Sequence, residues 1–108
     1  MIRIEVARRF GVPRGITSRG HAVRVHQRDS APCAAVSTAL QAYGLVITAD
    51  EGCDVRGEIG NPGEFTLFCT RCSDERWYAG VAETVVQTLE SARRSWPDEI
   101  EIVYRDEE

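Results

Sequence analysis

Ile2, Ile4 and Val6 alternate with Arg3 and Glu5, the period-two pattern of a strand with one buried face. Gly11-Val12-Pro13-Arg14-Gly15 reads as a turn, because glycine and proline supply the backbone angles of a reversal. A second strand from Arg14 to His21 then returns beside the first as a hairpin. Between Ala22 and Pro32 the alternation gives way to an Arg-rich loop, with Val23 and Val25 able to prolong the strand.

A helix follows. Ser30 is a good N-cap, and Pro32 fits the first turn, where its missing N–H loses no partner. Val36, Ala39, Leu40 and Tyr43 recur at helical spacing, and Gly44 is a fitting terminator. Val55, Gly57 and Ile59 predict a third strand, Asn61-Pro62-Gly63 a turn, and Phe65, Leu67 and Cys69 a fourth strand. Ser73 can cap a longer helix whose apolar stripe is Tyr78, Val81, Ala82, Val85, Leu89 and Ala92. Pro97 ends it, and Ile100, Ile102 and Tyr104 alternate as a last strand. The order is ββαββαβ. Two amphipathic helices interspersed among strands imply an α+β fold of two layers, a mixed β-sheet with both helices packed on it.

The chain of 108 residues and 12.0 kDa has room for one core, so 1–108 is expected to be a single domain. A composition of 43% apolar and 28% charged residues excludes a disordered chain. No apolar run approaches the ~20 residues of a membrane helix, and the first residues lack the plan of a signal peptide. The expected location is therefore cytoplasmic, with no membrane partner. In that setting the four cysteines are expected to be thiols rather than two disulfides.

The net charge of −4 conceals an asymmetry. Residues 1–32 carry seven Arg against Glu5 and Asp29, a balance of +5, while residues 33–108 carry six Arg against fifteen acids, a balance of −9. All thirteen cationic residues are Arg. A basic surface in the first third would suit phosphate or an acidic partner, and an Arg bias in codon usage would produce the same count.

Cys33 is the foremost candidate for chemistry. It falls in the first turn of the predicted helix, where unpaired N–H groups and the positive end of the dipole favour a thiolate. Ala34 and Ala35 beside it are small enough to let a substrate backbone approach. His21, with eleven residues between it and Cys33, can fold back as general base, which makes the minimal Cys–His pair of thiol catalysis. N–H groups near Cys33 and Ala34 can serve an oxyanion. His26 is the competing base. Asp29 has two possible jobs: to orient the histidine, or to act as an anion on the helix dipole. Ser37, four residues after Cys33, shares its helical face and can either reach the site or bond back to its own helix.

Gly20-His21-Ala22, then an Asp-containing loop, then Cys33-Ala34-Ala35-Val36-Ser37 resembles the ribosomal-processing cysteine proteases, the Prp (YsxB-like) family. The ββαββαβ order and the length resemble that family too. The resemblance implies His21 as base, Cys33 as nucleophile, and residues 22–32, with Arg24 and Arg28, as a loop that shapes the substrate groove. It also implies a cytoplasmic homodimer whose substrate is the N-terminal extension of a large-subunit ribosomal protein, the one that reaches the peptidyl-transferase centre. Here Asp29 stands one residue further from the cysteine than in many members, and Pro32 takes a position that is usually aliphatic.

Three rival constellations are present. Cys69-Thr70-Arg71-Cys72 has the spacing of a redox pair, but a thioredoxin-like fold needs more strands after the helix. Cys53, Cys69 and Cys72 with His21 or His26 have the ligand types of a zinc site, although the spacing matches no compact finger. Neither cofactor nor metal is expected. The non-enzymatic alternative is a ribosome-assembly factor whose Arg-rich first third contacts ribosomal RNA. The aromatics do not favour it, because Phe10, Phe65, Phe68 and Tyr78 mostly occupy positions expected in the core.

Overall fold

The computed structural model describes residues 1–20, 31–58 and 64–107. The predicted cap Ser30, the strand residue Ile59 and the turn Asn61-Pro62-Gly63 lie outside the described residues. The elements follow the predicted order: β1 (Ile2–Arg9), β2 (Val12–Arg19), α1 (Ala31–Thr48), β3 (Cys53–Glu58), β4 (Phe65–Cys72), α2 (Glu75–Ser95) and β5 (Ile100–Glu107). They form one five-stranded sheet in the order β3-β4-β2-β1-β5. β5 runs parallel to β1 and the other neighbours are antiparallel, so the sheet is mixed as expected.

Alternation fixes which face of the sheet is dry. Ile2, Ile4 and Val6 of β1, Ile16 of β2, Leu67 of β4 and Ile100 of β5 are buried in one core with Val36, Leu40, Tyr43 and Ile47 of α1 and Tyr78, Val86 and Leu89 of α2. The opposite face carries ionic neighbours such as Arg3 and Glu101, which stand in register and pair at 3.1 Å. By length and composition α1 would suffice to cross a membrane, a feature the sequence reading passed over. Its buried residues form a stripe in the core, as a core helix of a folded domain requires.

Several boundaries move, each for a local reason. The hairpin reverses at Phe10 and Gly11, with φ of 53° and 80°, rather than over residues 11–15. Two successive residues at positive φ make the tight turn whose twist matches the flanking strands. Pro13 sits inside β2 because Arg14 is an extra residue there: Ala7 faces Gly15 and Arg8 faces Pro13. β4 pairs with β2 only from Gly15 to Ser18, so the N–H that proline lacks is not missed. Phe10, expected in the core, is 82% exposed at the hairpin tip, and Phe68 lies half-exposed over Gly15 on the open sheet face.

α1 also runs through Gly44 to Thr48, because the next turn buries Ile47 completely. Burying such a side chain gains about 1.5–3 kcal/mol, against about 1 kcal/mol for a glycine inside a helix. α2 is capped by Asp74 rather than Ser73; its carboxylate accepts the Trp77 N–H at 3.0 Å, while Ser73 donates its own N–H to Gly52.

The helices are joined to the sheet through two buried phenols. Tyr78 donates its hydroxyl to the Pro13 carbonyl at 2.6 Å, so the 2.7 Å contact between the two hydroxyls has Tyr43 as donor. Burial pushes the Tyr43 phenol up to about 12 and the Tyr78 phenol further still. The charge asymmetry resolves in the same region. Arg8 pairs with Glu83, Arg14 with Glu75 and Arg3 with Glu101, so part of the basic first third is spent on acids from the remainder of the chain.

Candidate active site

Cys33 is the third residue of α1, inside the first turn at the positive end of the helix dipole. No acidic side chain stands in that turn to oppose negative charge. Pro32 is buried, as an aliphatic residue would be, and Val36 is buried one turn further, so the helix start is anchored on both sides of the sulfur. Cys33 itself is partly buried and packs against the edge of the core. Ala34 is exposed beside it and offers no bulk to an approaching backbone; Ser37 is exposed one turn on.

His21, His26, Asp29, Arg24 and Arg28 lie outside the described residues. The last described residue before them is informative. Gly20 has φ of 89°, and a Cβ built on it would fall 2.4 Å from the Met1 carbonyl oxygen. Only glycine satisfies both conditions, so the backbone leaving β2 is set immediately ahead of His21. In the sequence Gly20 stands only as part of the Gly-His-Ala motif; its steric role appears in the structure. The signal available was the glycine itself, at the end of a strand and against a histidine.

The other three sulfurs gather elsewhere. β3 and β4 bring Cys53 opposite Cys72, and the two are joined in a disulfide. The expectation of four thiols is therefore corrected: two adjacent antiparallel strands hold this pair within bonding distance. The rival Cys69–Cys72 pair is not formed here, since Cys72 takes Cys53 as its partner. Cys69 is fully buried, its Sγ 3.4 Å from that of Cys72, and burial pushes its thiol up. Glu75 accepts the Cys72 N–H at 2.7 Å and pairs with Arg14; these two contacts hold its carboxyl below the usual carboxylate range.

The family model for the cysteine protease Prp matches residues 1–101. The chain belongs to the Prp family of cysteine proteases. Among solved structures it is similar to the essential ribosomal processing protease Prp of S. aureus in complex with a covalently linked product peptide. That likeness has a TM-score of 0.85 at 16% identity, over 97% of this chain and 100% of that one. The same enzyme with a substrate peptide gives 0.82 at 15% identity, with the same coverage. SMU.848 from Streptococcus mutans gives 0.81 at 20% identity, over 99% of this chain and 96% of that one. No curated protein matches the sequence. At these identities the structures establish the fold, and the family establishes a cysteine protease. The non-catalytic assembly factor gives way to the enzyme. A Prp protease needs a sulfur that a peptide can reach. Cys53 and Cys72 are tied in a disulfide and Cys69 is buried, whereas Cys33 is partly exposed at a helix start.

Proposed function

We propose that this Prp-family protease removes the N-terminal extension of a large-subunit ribosomal protein, the one that reaches the peptidyl-transferase centre. In this reading Cys33 is the nucleophile and His21 the general base. The observation that carries it is the contrast among the four cysteines, of which Cys33 is the one at a helix start and accessible to a substrate. The structural relatives that hold substrate and product peptides support a peptide substrate.

The chemistry follows from those groups. His21 takes the Cys33 proton, and the sulfur attacks the scissile carbonyl carbon. The oxyanion that forms meets N–H groups of the first turn around Cys33 and Ala34, each such donor being worth about 3 kcal/mol. The imidazolium returns its proton to the leaving amine as the C–N bond breaks, giving a thioester. Water, deprotonated by His21, then hydrolyses the thioester and restores the thiol. Asp29 would orient His21 from the loop, and Arg24 and Arg28 would meet acidic side chains of the peptide.

The reading includes a cytoplasmic homodimer. Val46 of α1 and Trp77 of α2 are exposed and line one groove between the helices, with Leu45 exposed beside them, an apolar surface suited to self-association. Contact with ribosomal RNA is left out, because Arg3, Arg8 and Arg14 already have acidic partners. The test is cleavage of a peptide spanning the extension of the same organism's ribosomal protein, followed by mass spectrometry. Wild type is expected to cut it at one bond, and His21→Ala and Cys33→Ala are expected not to. Cleavage by Cys33→Ala would overturn the nucleophile; a wild type that cuts other peptides but not this one would overturn the substrate.

A further inference from the structure

Cys69 lies where a β3–β4 cross-link has no need of it. The register sets Cys53 against Cys72, Asp54 against Arg71, and Val55 against Cys69, which leaves Thr70 as one extra residue on β4. In a regular strand, residues three apart point to opposite faces. The bulge cancels that: Cys69 and Cys72 both point into the core, while Thr70 and Arg71 between them are exposed. The result is three sulfurs whose Sγ atoms all lie within 4.8 Å of one another. A disulfide uses two of them; the third, fully buried 3.4 Å from Cys72 Sγ, is explained by neither the cross-link nor the active site.

We propose that, once the Cys53–Cys72 bond is reduced, Cys53, Cys69 and Cys72 form a three-thiolate site for a thiophilic divalent ion of the zinc type. Zinc–thiolate bonds of about 2.3 Å in tetrahedral array set sulfurs about 3.8 Å apart. The Cys69–Cys72 spacing of 3.4 Å is already close to this, and opening the disulfide frees Cys53 and Cys72 to separate to it. Thiolates select such soft ions over calcium or magnesium. Cys53 is only half-buried, so the metal's fourth position opens on its side to water. Three thiolates and a dication leave one negative charge; Arg14 lies beside it, its Nη1 3.5 Å from the Cys69 carbonyl, but shares its own charge with Glu75, which also accepts the Cys72 N–H.

The steps balance. Two equivalents of a thiol reductant are oxidised to their disulfide as Cys53 and Cys72 become thiols. The metal then displaces three protons, one from each cysteine. The disulfide is the oxidised form of the same site, and either form ties β3 to β4.

The test is a cobalt(II) titration of the full chain, reduced with a phosphine and handled without oxygen. Reduced wild type is expected to take up one equivalent, with thiolate-to-cobalt charge-transfer absorption and intense tetrahedral ligand-field bands, all abolished by zinc(II). The oxidised protein is expected to give neither. Cys69→Ser, with its fold checked by circular dichroism in the oxidised state, should bind more weakly by more than the roughly hundredfold cost of a lost outer-shell contact. Cys53→Ser, altered at a half-buried position, carries the same expectation if Cys69→Ser does not fold. Cys33→Ser should bind as wild type. A reduced wild type without the charge-transfer band, or serine variants at 53 and 69 that bind like wild type, would overturn the site.

Discussion

Cys33 and Cys69 pack against the same hydrophobic core, yet they are opposite kinds of sulfur. Cys33 stands in the first turn of a helix, at the positive end of its dipole, with no acidic residue in that turn, and is partly open to solvent. Cys69 stands inside a strand, sealed from water, with its thiol pushed up by that burial. The residue type is common to both. What differs is the backbone around each one, and the backbone separates a sulfur suited to attack a peptide from one suited to be held.

Exchanging the effects of the two positions is the most severe way to break the comparison. Cys33→Ala is expected to lower kcat/KM by at least about a thousandfold, as loss of a nucleophile does, with the unfolding midpoint unchanged. Cys69→Ala is expected to keep its activity and lose roughly 1–3 kcal/mol of stability through the buried volume removed. Denaturant melts and a cleavage assay on both variants decide it. If Cys69→Ala were the inactive one, the contrast would be reversed.

The next effect belongs to the cross-link. Its sulfurs are 19 residues apart, and closing a loop of that size is worth about 3 kcal/mol. Reduction, or replacement of Cys53 and Cys72 together by alanine, should lower metal-free stability by that amount while sparing catalysis. The phenols sharpen the same region. Tyr78→Phe strands both the Pro13 carbonyl and the Tyr43 hydroxyl, at about 1–3 kcal/mol for each buried group left unbonded. Tyr43→Phe leaves Tyr78 its bond to Pro13 and should cost less, about 1 kcal/mol. Thermal unfolding of the two variants tests that order.

The smallest effect is a pH dependence. Because the Glu75 carboxyl is held low by the Cys72 N–H and by Arg14, its stabilisation is fully present above the ordinary carboxylate pKa of about 4.3. It fades as pH falls through the lower folded value. Glu75 is nearly half exposed, so solvent screening limits the gain to under about 1 kcal/mol. The stability difference between wild type and Glu75→Gln should thus be seen at pH 6 and shrink toward zero in acid. A gap that widened in acid would contradict this sign.

Much of this architecture was legible because alternation and helical spacing report burial directly. Ile2, Ile4 and Val6, and the stripe from Tyr78 to Ala92, behave as their periods predict. The helix that begins just ahead of Cys33 was legible too, from Pro32 and the helical pattern that follows it. The Cys53–Cys72 pair was not. It depends on the register between two strands and on one extra residue at Thr70, and no local pattern encodes either. Pro13 and Gly44 misled for a related reason: each is a strong local signal for stopping an element, overruled by a bulge in one case and by the burial of Ile47 in the other. The proposed pairing of His21 with Cys33 was legible only through the family motif, because residues 22–32 carry chemistry but no periodicity.

The close approach of Gly20 to the Met1 carbonyl has a practical side. Anything fused ahead of Met1 would emerge beside the turn that leads into His21. The parallel pairing of β5 with β1 sets Ile2 against Ile100 and Arg9 against Glu107, so the last described residue lies at the far end of the sheet from Met1. A purification handle attached after the last residue keeps clear of that turn, whereas one attached at the front would lie against Gly20.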